Sequence, residues 1–206
     1  QSGSSLNTLF VNGGTLTADS SAYGGTIVAH SAPATMSVSN NAVVAIDFWL
    51  SVGLAKRGEL NIGGNSDMSV GQLSMGVVDG VDFSSAWNGP SFVTVGSGRL
   101  AVTNRFFWCS NGNAARTNLV TVGDGLAGGA TLRLPATTRS TGNPSFARLA
   151  VNGGVLELVG VKNAGNSEAL TNYFYGLNQI WIGTAGAVVD TTNNTVTVTH
   201  RIERDP

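Results

Sequence analysis

Charge, cysteine and helix-forming residues are all scarce in this sequence, and each scarcity excludes a class of protein. Only 11% of the 206 residues are charged and the formal net charge is −1, so no basic field attracts nucleic acid or an anionic membrane. No run approaches the roughly 18 consecutive apolar residues of a membrane span. The lone Cys109 excludes an internal disulfide, and the aromatic residues before it predict a buried thiol.

Glycine and β-forming residues are abundant instead. The chain has 28 Gly, and 42% of its residues are hydrophobic, with many Val, Ile and Leu at alternating positions. Alternation with a period of two is typical of a pleated strand, and an apolar content this high argues against disorder. The sequence therefore predicts a folded all-β protein.

One element returns along the chain: an apolar–polar–apolar triplet, a Gly/Asn turn and a second alternating strand. It reads LFVNGGTLT at residues 9–17 and LAVNGGVLEL at residues 149–158. The last apolar residues before the successive turns are separated by 27, 24, 33, 27, 29 and 31 positions, a period of about 28. These marker residues are Val11, Val38, Ile62, Val95, Val122, Val151 and Ile182.

A period of this length with strand alternation predicts a β-solenoid, since a helical repeat needs a different apolar spacing. We expect a single-stranded parallel β-helix of roughly seven coils, in which the marker residues form one inward column. Residues 1–206 are expected to be a single solenoid domain, and Gln1 in place of Met indicates a segment of a longer secreted protein. An antiparallel sandwich or jelly roll is the rival architecture.

The segment from Ile182 to Thr191, continuing to Val198, reads IGTAGAVVDT followed by TNNTVTV. It resembles the autotransporter-associated β-strand repeats of large bacterial surface proteins, and the VNGG units are similar to the turns of that family. The resemblance implies a right-handed parallel β-helix, secretion to the cell surface and a structural or adhesive passenger role. No catalytic motif comes with it.

A search for chemistry finds turn residues in place of a catalytic set. Five aspartates lie in or near predicted turns, and the inferred registers do not bring two of them together; they are Asp67, Asp79, Asp82, Asp124 and Asp190. His30 and His200 lie near opposite ends of the chain, which excludes a shared triad or zinc site in a linear rod. We expect no metal and no cofactor, with calcium at the aspartate turns as an alternative.

Aromatic residues are the candidate binding groups, because flat rings stack on sugar faces. In the runs Phe48-Trp49-Leu50 and Phe106-Phe107-Trp108, successive side chains point to opposite faces, so at least one ring of each run is predicted to point outward. The candidates for carbohydrate or subunit contact are Trp49, Trp87, Trp108, Tyr173, Tyr175 and Trp181.

Together these features predict a non-catalytic extracellular rod, adhesive or part of a filament. A carbohydrate-active β-helix enzyme, a polysaccharide lyase or glycosidase, is the alternative, and a sugar-binding module is a third class. Because the N-terminal residues QSGSS offer nothing to cover a first coil, we expect self-association or continuation of the solenoid at that end. The charged C-terminal segment 200–206 is expected to block the other end or to leave the rod.

Overall fold

A computed structural model describes residues 7–19, 26–29, 31–76, 89–108, 117–126, 129–139, 146–160, 172–192 and 194–204. Within these ranges the chain forms seventeen β-strands and no helix. The strands are β1 (Asn7–Asn12), β2 (Thr15–Ala18), β3 (Thr26–Val28), β4 (Ala34–Ser39), β5 (Val43–Val52), β6 (Gly58–Ile62), β7 (Asp67–Met75), β8 (Ser91–Val95), β9 (Arg99–Trp108), β10 (Thr117–Val122), β11 (Thr131–Leu134), β12 (Thr137–Arg139), β13 (Phe146–Val151), β14 (Gly154–Leu158), β15 (Gln179–Ile182), β16 (Ala187–Asp190) and β17 (Ile202–Arg204).

The strands alternate between two parallel sheets. Sheet A has the order β1-β4-β6-β8-β10-β13-β15-β17, and sheet B has the order β16-β14-β11-β9-β7-β5-β2, with β3 beside β5 and β12 beside β9. Consecutive strands of one sheet are joined through a strand of the other sheet, so the chain winds and each turn stacks on the previous one. The expected all-β class is confirmed, and the parallel pairing is consistent with a β-solenoid. The antiparallel rival is wrong for the described residues.

The predicted inward column is confirmed in register. Each marker residue pairs with the next one along sheet A, from Val11 beside Val38 to Val151 beside Ile182. The five middle markers are buried in the core, and Val11 and Ile182 pack against its two ends. Because Val and Ile are β-branched and stack well on a pleated surface, one residue type per coil suffices to build this column.

Sheet B is bent part-way along its longest strands. The pairing of β5 with β7 shifts between Ile46 and Trp49, and that of β7 with β9 shifts between Val70 and Gln72. Gly71 lies at this bend, where a Cβ atom would stand 2.5 Å from the carbonyl oxygens of Asp47 and Phe48. No side chain fits there, so the bend requires glycine.

Glycine also permits close stacking at one corner of the coils. Gly123 follows the marker Val122 with a φ of 93°, and a Cβ atom there would collide with the carbonyl oxygen of Asn152 in the next coil. A side chain at this position would therefore be excluded both by the backbone conformation and by the neighbouring coil.

Four stretches of the sequence, at residues 79–90, 110–118, 135–144 and 162–172, are polar or marked by Gly and Pro, which predicts loops, and two of them contain strands. Residues 135–144 include β12, which pairs with β9 through Thr137 and Phe106, and the predicted loop 110–118 ends inside β10. Pairing with an existing neighbour strand outweighs the polar local sequence at these points. The predicted loops 79–90 and 162–172 fall almost entirely outside the described residues.

The charged C-terminal segment stays in the rod. β17 pairs with β15, placing Ile202 beside Ile180 and Arg204 beside Ile182. The His200 Nε2–H donates to the carbonyl oxygen of Leu177 at 2.7 Å, and its Nδ1 lies 3.3 Å from the amide nitrogen of Asn172. His200 therefore anchors this segment, while His30 lies outside the described residues.

Candidate functional site

Two of the predicted contact residues belong to the core. Trp108 and Tyr173 are each only 1% exposed, so neither ring reaches a surface ligand, and the prediction of contact is wrong for both. The register explains Trp108: it pairs with Met75 on the inward face of sheet B, and its ring lies 4.7 Å from that of Phe106. The sequence held this signal, since Trp108 continues the inward alternation of Leu100, Val102 and Phe106 along β9.

The expectation of one outward ring in each aromatic run is half right. Phe48 is 42% exposed, as predicted. In the second run Phe107 points to the face opposite Phe106 and Trp108, as predicted, but all three rings are buried and none is exposed. The guanidinium of Arg105 lies over the Phe107 ring, 5.7 Å from its centroid.

Tyr173 connects two parts of the interior. Its hydroxyl donates to the carbonyl oxygen of Leu134 at 2.6 Å. Burial raises the pKa of Tyr173 far above its ordinary value, opposed by a hydrogen bond from the Val159 backbone. The phenol therefore stays neutral and serves as an internal hydrogen-bond donor.

The remaining candidates are spread over separate surfaces. Trp49 is half-buried on sheet B, where its indole Nε1–H donates to the Ser74 hydroxyl at 3.3 Å. Its ring meets Phe48 edge to face, with the centroids 6.0 Å apart and the planes at 86°. Tyr175 is half-buried near the C-terminal coils, and Trp87 and Cys109 lie outside the described residues.

Trp181 lies on the outer face of sheet A, where an arginine side chain stacks on its ring. The Arg148 guanidinium lies 3.3 Å from the centroid of its ring and 4.9 Å from that of Phe146. This is a cation–π arrangement shared by two rings. The stacked register brings the three residues together, since Arg148 and Trp181 occupy outward positions of the adjacent strands β13 and β15.

A second cation–π contact lies farther along the same face and was missed from the sequence. The Arg57 guanidinium lies 4.6 Å from the centroid of Phe92 and also pairs with Glu59 at 2.6 Å. The predicted coil register could have revealed this contact, because Glu59 and Phe92 occupy the same outward position of adjacent coils.

Sheet B carries an ion-pair ladder on its outer face, which we define as Asp67, Arg99, Arg133 and Glu157. Arg99 lies 3.5 Å from Asp67 and 3.8 Å from Glu157, and Arg133 lies 2.9 Å from Glu157. Asp67 pairs directly with Arg99 in the register, and Arg133 with Glu157. The ladder therefore crosses four strands with charges of both signs facing one another.

Asp190 stands beside the ladder, directly next to Glu157 in the pairing of β14 with β16. The sequence predicted no pair of neighbouring carboxylates among the five aspartates, and it did not identify Glu157 as a neighbour of Asp190. Two carboxylates on adjacent coils are the spacing that a retaining glycosidase uses. Here, however, Oε1 of Glu157 contacts Arg133 and Oε2 contacts Arg99, so both carboxylate oxygens are engaged.

Two of the predicted turn aspartates bond to their own backbone, as the sequence indicated, whereas Asp67 begins β7 and pairs with Arg99. Oδ1 of Asp124 accepts the Leu126 N–H at 3.0 Å, and Oδ1 of Asp190 accepts the Thr192 N–H at 2.8 Å. These contacts are Asx turns. Asp79 and Asp82, the other aspartates considered for calcium, lie outside the described residues.

Exposed large apolar side chains of the described residues lie mostly in the first and last coils. They are Leu9, Phe10, Ile27, Val43 and Phe48 near one end and Val188, Val189, Val198 and Ile202 near the other, with Leu126 between. A cleft of about 240 Å³ opens between β1, β3 and β4 at the N-terminal end. A second, of about 370 Å³, lies at β15 and β17.

Within the described ranges we find no cluster of three or more His, Cys, Asp or Glu side chains fit to hold a metal ion. The same residues include no helix of the length and apolar character needed to cross a membrane. Comparison of the chain with protein-family models, curated proteins and solved structures found no match.

Proposed function

We propose that the chain is a non-catalytic extracellular structural rod, a unit of a surface passenger or filament with an adhesive role. The observation that carries this proposal is the inward column of sheet A, in which seven consecutive strands repeat one apolar position in register. A column of this kind builds length and stiffness without shaping a cavity. Seven coils at about 4.8 Å give a rod segment roughly 34 Å long.

The polar side chains of the outer faces support the same reading. On sheet B, Arg99 and Arg133 are engaged with carboxylates, and on sheet A, Arg57 and Arg148 cover aromatic rings. An enzyme of the lyase or glycosidase type requires a carboxylate that is free to exchange a proton with the substrate. A structural rod requires only that the charged and polar side chains of neighbouring coils interact with one another.

The resemblance to autotransporter-associated repeats supports three finer parts of the proposal: a right-handed coil, export from the cell and display at its surface. Limited proteolysis of intact cells that produce the chain tests the last two. Release of the chain by external protease, with a cytoplasmic marker protein left intact, is the expected result. Protection until the cells are lysed would contradict surface display.

The catalytic question is tested with the purified chain and a panel of neutral and acidic polysaccharides. We expect no new reducing ends and no unsaturated uronate absorbance above the buffer control. Depolymerisation that is lost in Glu157→Gln or Asp190→Asn, and kept in Asp124→Asn, would overturn the structural proposal and identify the acid pair beside the ladder as catalytic.

A sugar-binding module is the second candidate, and one observation favours it. Phe48 is exposed beside the half-buried Trp49, so a ring edge and a ring face are presented together on sheet B. Binding of a polysaccharide measured by calorimetry, abolished in Phe48→Ala and retained in the mid-rod variant Leu126→Ala, would establish this function. The absence of heat with the whole panel would reject it.

The N-terminal coil is proposed to be stacked in its native setting by another chain or by a preceding coil of the same protein. Leu9 occupies an inward position, beside Met36, yet it is 50% exposed because no described strand lies above it. Exposed inward residues on an end strand are a template for further pairing.

A further inference from the structure

We propose that the outer face of sheet A around Arg148 binds the carboxylate groups of an acidic polysaccharide. The inference rests on the adhesive part of the proposed function and adds the class of ligand and its place on the rod. The face lies on the side of the stack, because β13 pairs with β10 and β15, and β15 pairs with β17. A further coil at either end of the stack would therefore not cover it.

Arg148 differs from Arg57 and Arg133 in having no carboxylate partner. Arg57 lies 2.6 Å from Glu59, and Arg133 lies 2.9 Å from Glu157. Among the described residues, no carboxylate lies within ion-pair distance of Arg148. Its side chain is half-buried, so its charge is also less hydrated than that of a fully exposed arginine. An anion that reaches this face meets a cation that no neighbouring coil neutralises.

Three contacts hold the Arg148 guanidinium in place. Its Cζ lies 3.3 Å from the ring centroid of Trp181 and 4.9 Å from that of Phe146. Its Nε–H donates to Oε1 of Gln179 at 3.2 Å. A guanidinium has five N–H donors, so the four on its two terminal nitrogens have no acceptor among the described residues. These nitrogens form the planar fork that binds both oxygens of a carboxylate.

Gln179 adds a neutral donor beside this fork. It pairs with Arg148 in the register, and because its Oε1 accepts from Arg148, its Nε2 amino group is left as a donor without an acceptor in the described part of the chain. An acidic sugar carries hydroxyl groups close to its carboxylate, so one sugar residue can engage both donors. A carboxylate on a protein side chain would engage the fork alone, which is why we favour a polysaccharide.

The outward column that contains Arg148 also supplies apolar surface. Leu119 occupies the position beside Arg148 and Phe92 the position beside Leu119, and both side chains are half-buried. Together with Gln179, these residues extend over four neighbouring strands, a length of about 14 Å. Sugar rings have an apolar face and polar edges, so a chain lying along the rod can pack on the apolar positions and reach the fork with its carboxylate.

Glu203 is the acidic residue that opposes an anionic ligand here. The register places it beside Trp181, and its Oε1 lies 3.9 Å from Nε of Arg201. The long distance makes this a weak ion pair, so Glu203 keeps a repulsive effect on a carboxylate bound at Arg148. Removal of this charge should strengthen binding, whereas removal of the Arg148 charge should weaken it.

Calorimetric titration of the full 206-residue chain with polygalacturonate, at low ionic strength and without calcium, tests the site. The reference ligand is the same polymer with its carboxylates reduced to alcohols. We expect binding of polygalacturonate and none of the reduced polymer. Arg148→Gln should weaken binding at least tenfold, since it removes a charged hydrogen-bonding group. Arg133→Gln is the matched control, which removes the same charge from sheet B, and it should stay within twofold of wild type.

Three further variants separate the contributions to binding. Arg148→Lys keeps the charge and loses the planar fork, so we expect at least a fivefold loss. Gln179→Leu removes the neutral donor and should weaken binding at least threefold, while Glu203→Gln should strengthen it at least twofold. Circular dichroism melting curves show whether each variant is folded, and if Arg148→Gln does not fold, Arg148→Lys and Gln179→Leu carry the test.

Four outcomes would overturn the proposed site. A wild type that does not bind polygalacturonate would remove it, while the rod proposal, tested by surface proteolysis, would stand. Equal losses in Arg148→Gln and Arg133→Gln would show attraction by overall charge alone. Equal affinity for poly-L-glutamate would assign the face to a protein partner, and equal affinity for dextran sulfate would show a general polyanion surface in place of a carboxylate site.

Discussion

Sheet A and sheet B are both made of strands with alternating side chains, yet their strands pair with different regularity. Sheet A keeps one register across all its described strands, and the same inward positions recur from coil to coil. Sheet B shifts its register twice and bends at Gly71, which divides β5, β7 and β9 into two halves. The outer faces differ as well, because arginines cover Phe92 and Trp181 on sheet A, whereas the ion-pair ladder crosses four strands of sheet B.

The difference shows that the strand pairing is fixed by different interactions in the two sheets. In sheet A the pairing follows from apolar columns that any β-branched residue can continue. In sheet B it depends on particular backbone positions and on charges that face their partners across strands. Substitutions chosen to separate these two kinds of specificity are expected to differ strongly in their effects.

The largest effect is expected for Val151→Asp, in the middle of the sheet A column. Val151 is fully buried between Val122 and Ile182, so the variant places an unpaired carboxylate in an apolar interior. Removing an apolar side chain and burying a charge together should cost more than about 4 kcal/mol of unfolding free energy, enough to unfold a marginal domain. Chemical denaturation followed by circular dichroism measures it; a loss below about 1 kcal/mol would contradict the column.

A smaller but clear loss is expected for Gly71→Ala, which tests the bend in sheet B. The new Cβ would lie 2.5 Å from two carbonyl oxygens of β5, and relief of that clash requires movement of the backbone. Forced repacking of this kind costs about 1–3 kcal/mol. Gly63→Ala is the matched control, because its nearest neighbour would be 3.8 Å away and its φ is not positive. Equal melting temperatures for the two variants would refute the bend.

Tyr173→Phe should cost less, about 0.5–1.5 kcal/mol at neutral pH, because the carbonyl oxygen of Leu134 loses the Tyr173 hydroxyl as a donor and keeps the Val159 N–H. The pKa of Tyr173 is raised in the folded state, so its contribution to stability is complete below the ordinary phenol pKa near 10.0 and falls as the pH rises above it. The variant should therefore lose less stability than the wild type between neutral pH and about pH 11. Urea denaturation at several pH values measures this slope, and equal alkaline slopes for the variant and the wild type would contradict the buried neutral phenol.

The smallest effect is expected for Asp190→Asn. The Asn side chain keeps the oxygen that accepts the Thr192 N–H, so the Asx turn survives. Loss of a negative charge beside Glu157 removes a like-charge neighbour on the adjacent strand. The melting temperature should stay within about 2 °C of wild type, a shift below about 0.5 kcal/mol. A loss comparable to that of Val151→Asp would show that the core assignment is wrong.

The two sheets also differ in how much of them the sequence predicted. All seven marker residues of sheet A were identified, because each precedes a Gly/Asn turn and turn chemistry is readable locally. The inward set of sheet B was not, because the inward positions of β7 shift from Met68 and Val70 to Leu73 and Met75 across the bend, and that shift depends on pairing with the neighbouring strands. β12 was missed for a similar reason: Thr137–Arg139 becomes a strand because β9 supplies a partner.

The candidate sites also divide into those that the local sequence predicts and those that depend on the stacking of coils. The aspartates were assigned correctly to Asx turns at Asp124 and Asp190, which depend on the two residues that follow them. The ion-pair ladder was missed, because Glu157 meets Arg99 and Arg133 only through a coil-to-coil register that spacing along the chain does not give. Trp181 was selected for its ring, but the guanidinium above it comes from a residue 33 positions earlier.

The constant register of sheet A has a consequence for the way such a protein can change over time. Val38 and Ile62 are 24 residues apart and Ile62 and Val95 are 33 apart, yet both pairs stack identically. The added length is accommodated wholly in the connection, where doubling a loop costs only about 0.6 kcal/mol of closure entropy. Each connection is thus a position at which foreign segments can be inserted and varied, generation after generation, while the coils on either side keep their neighbours.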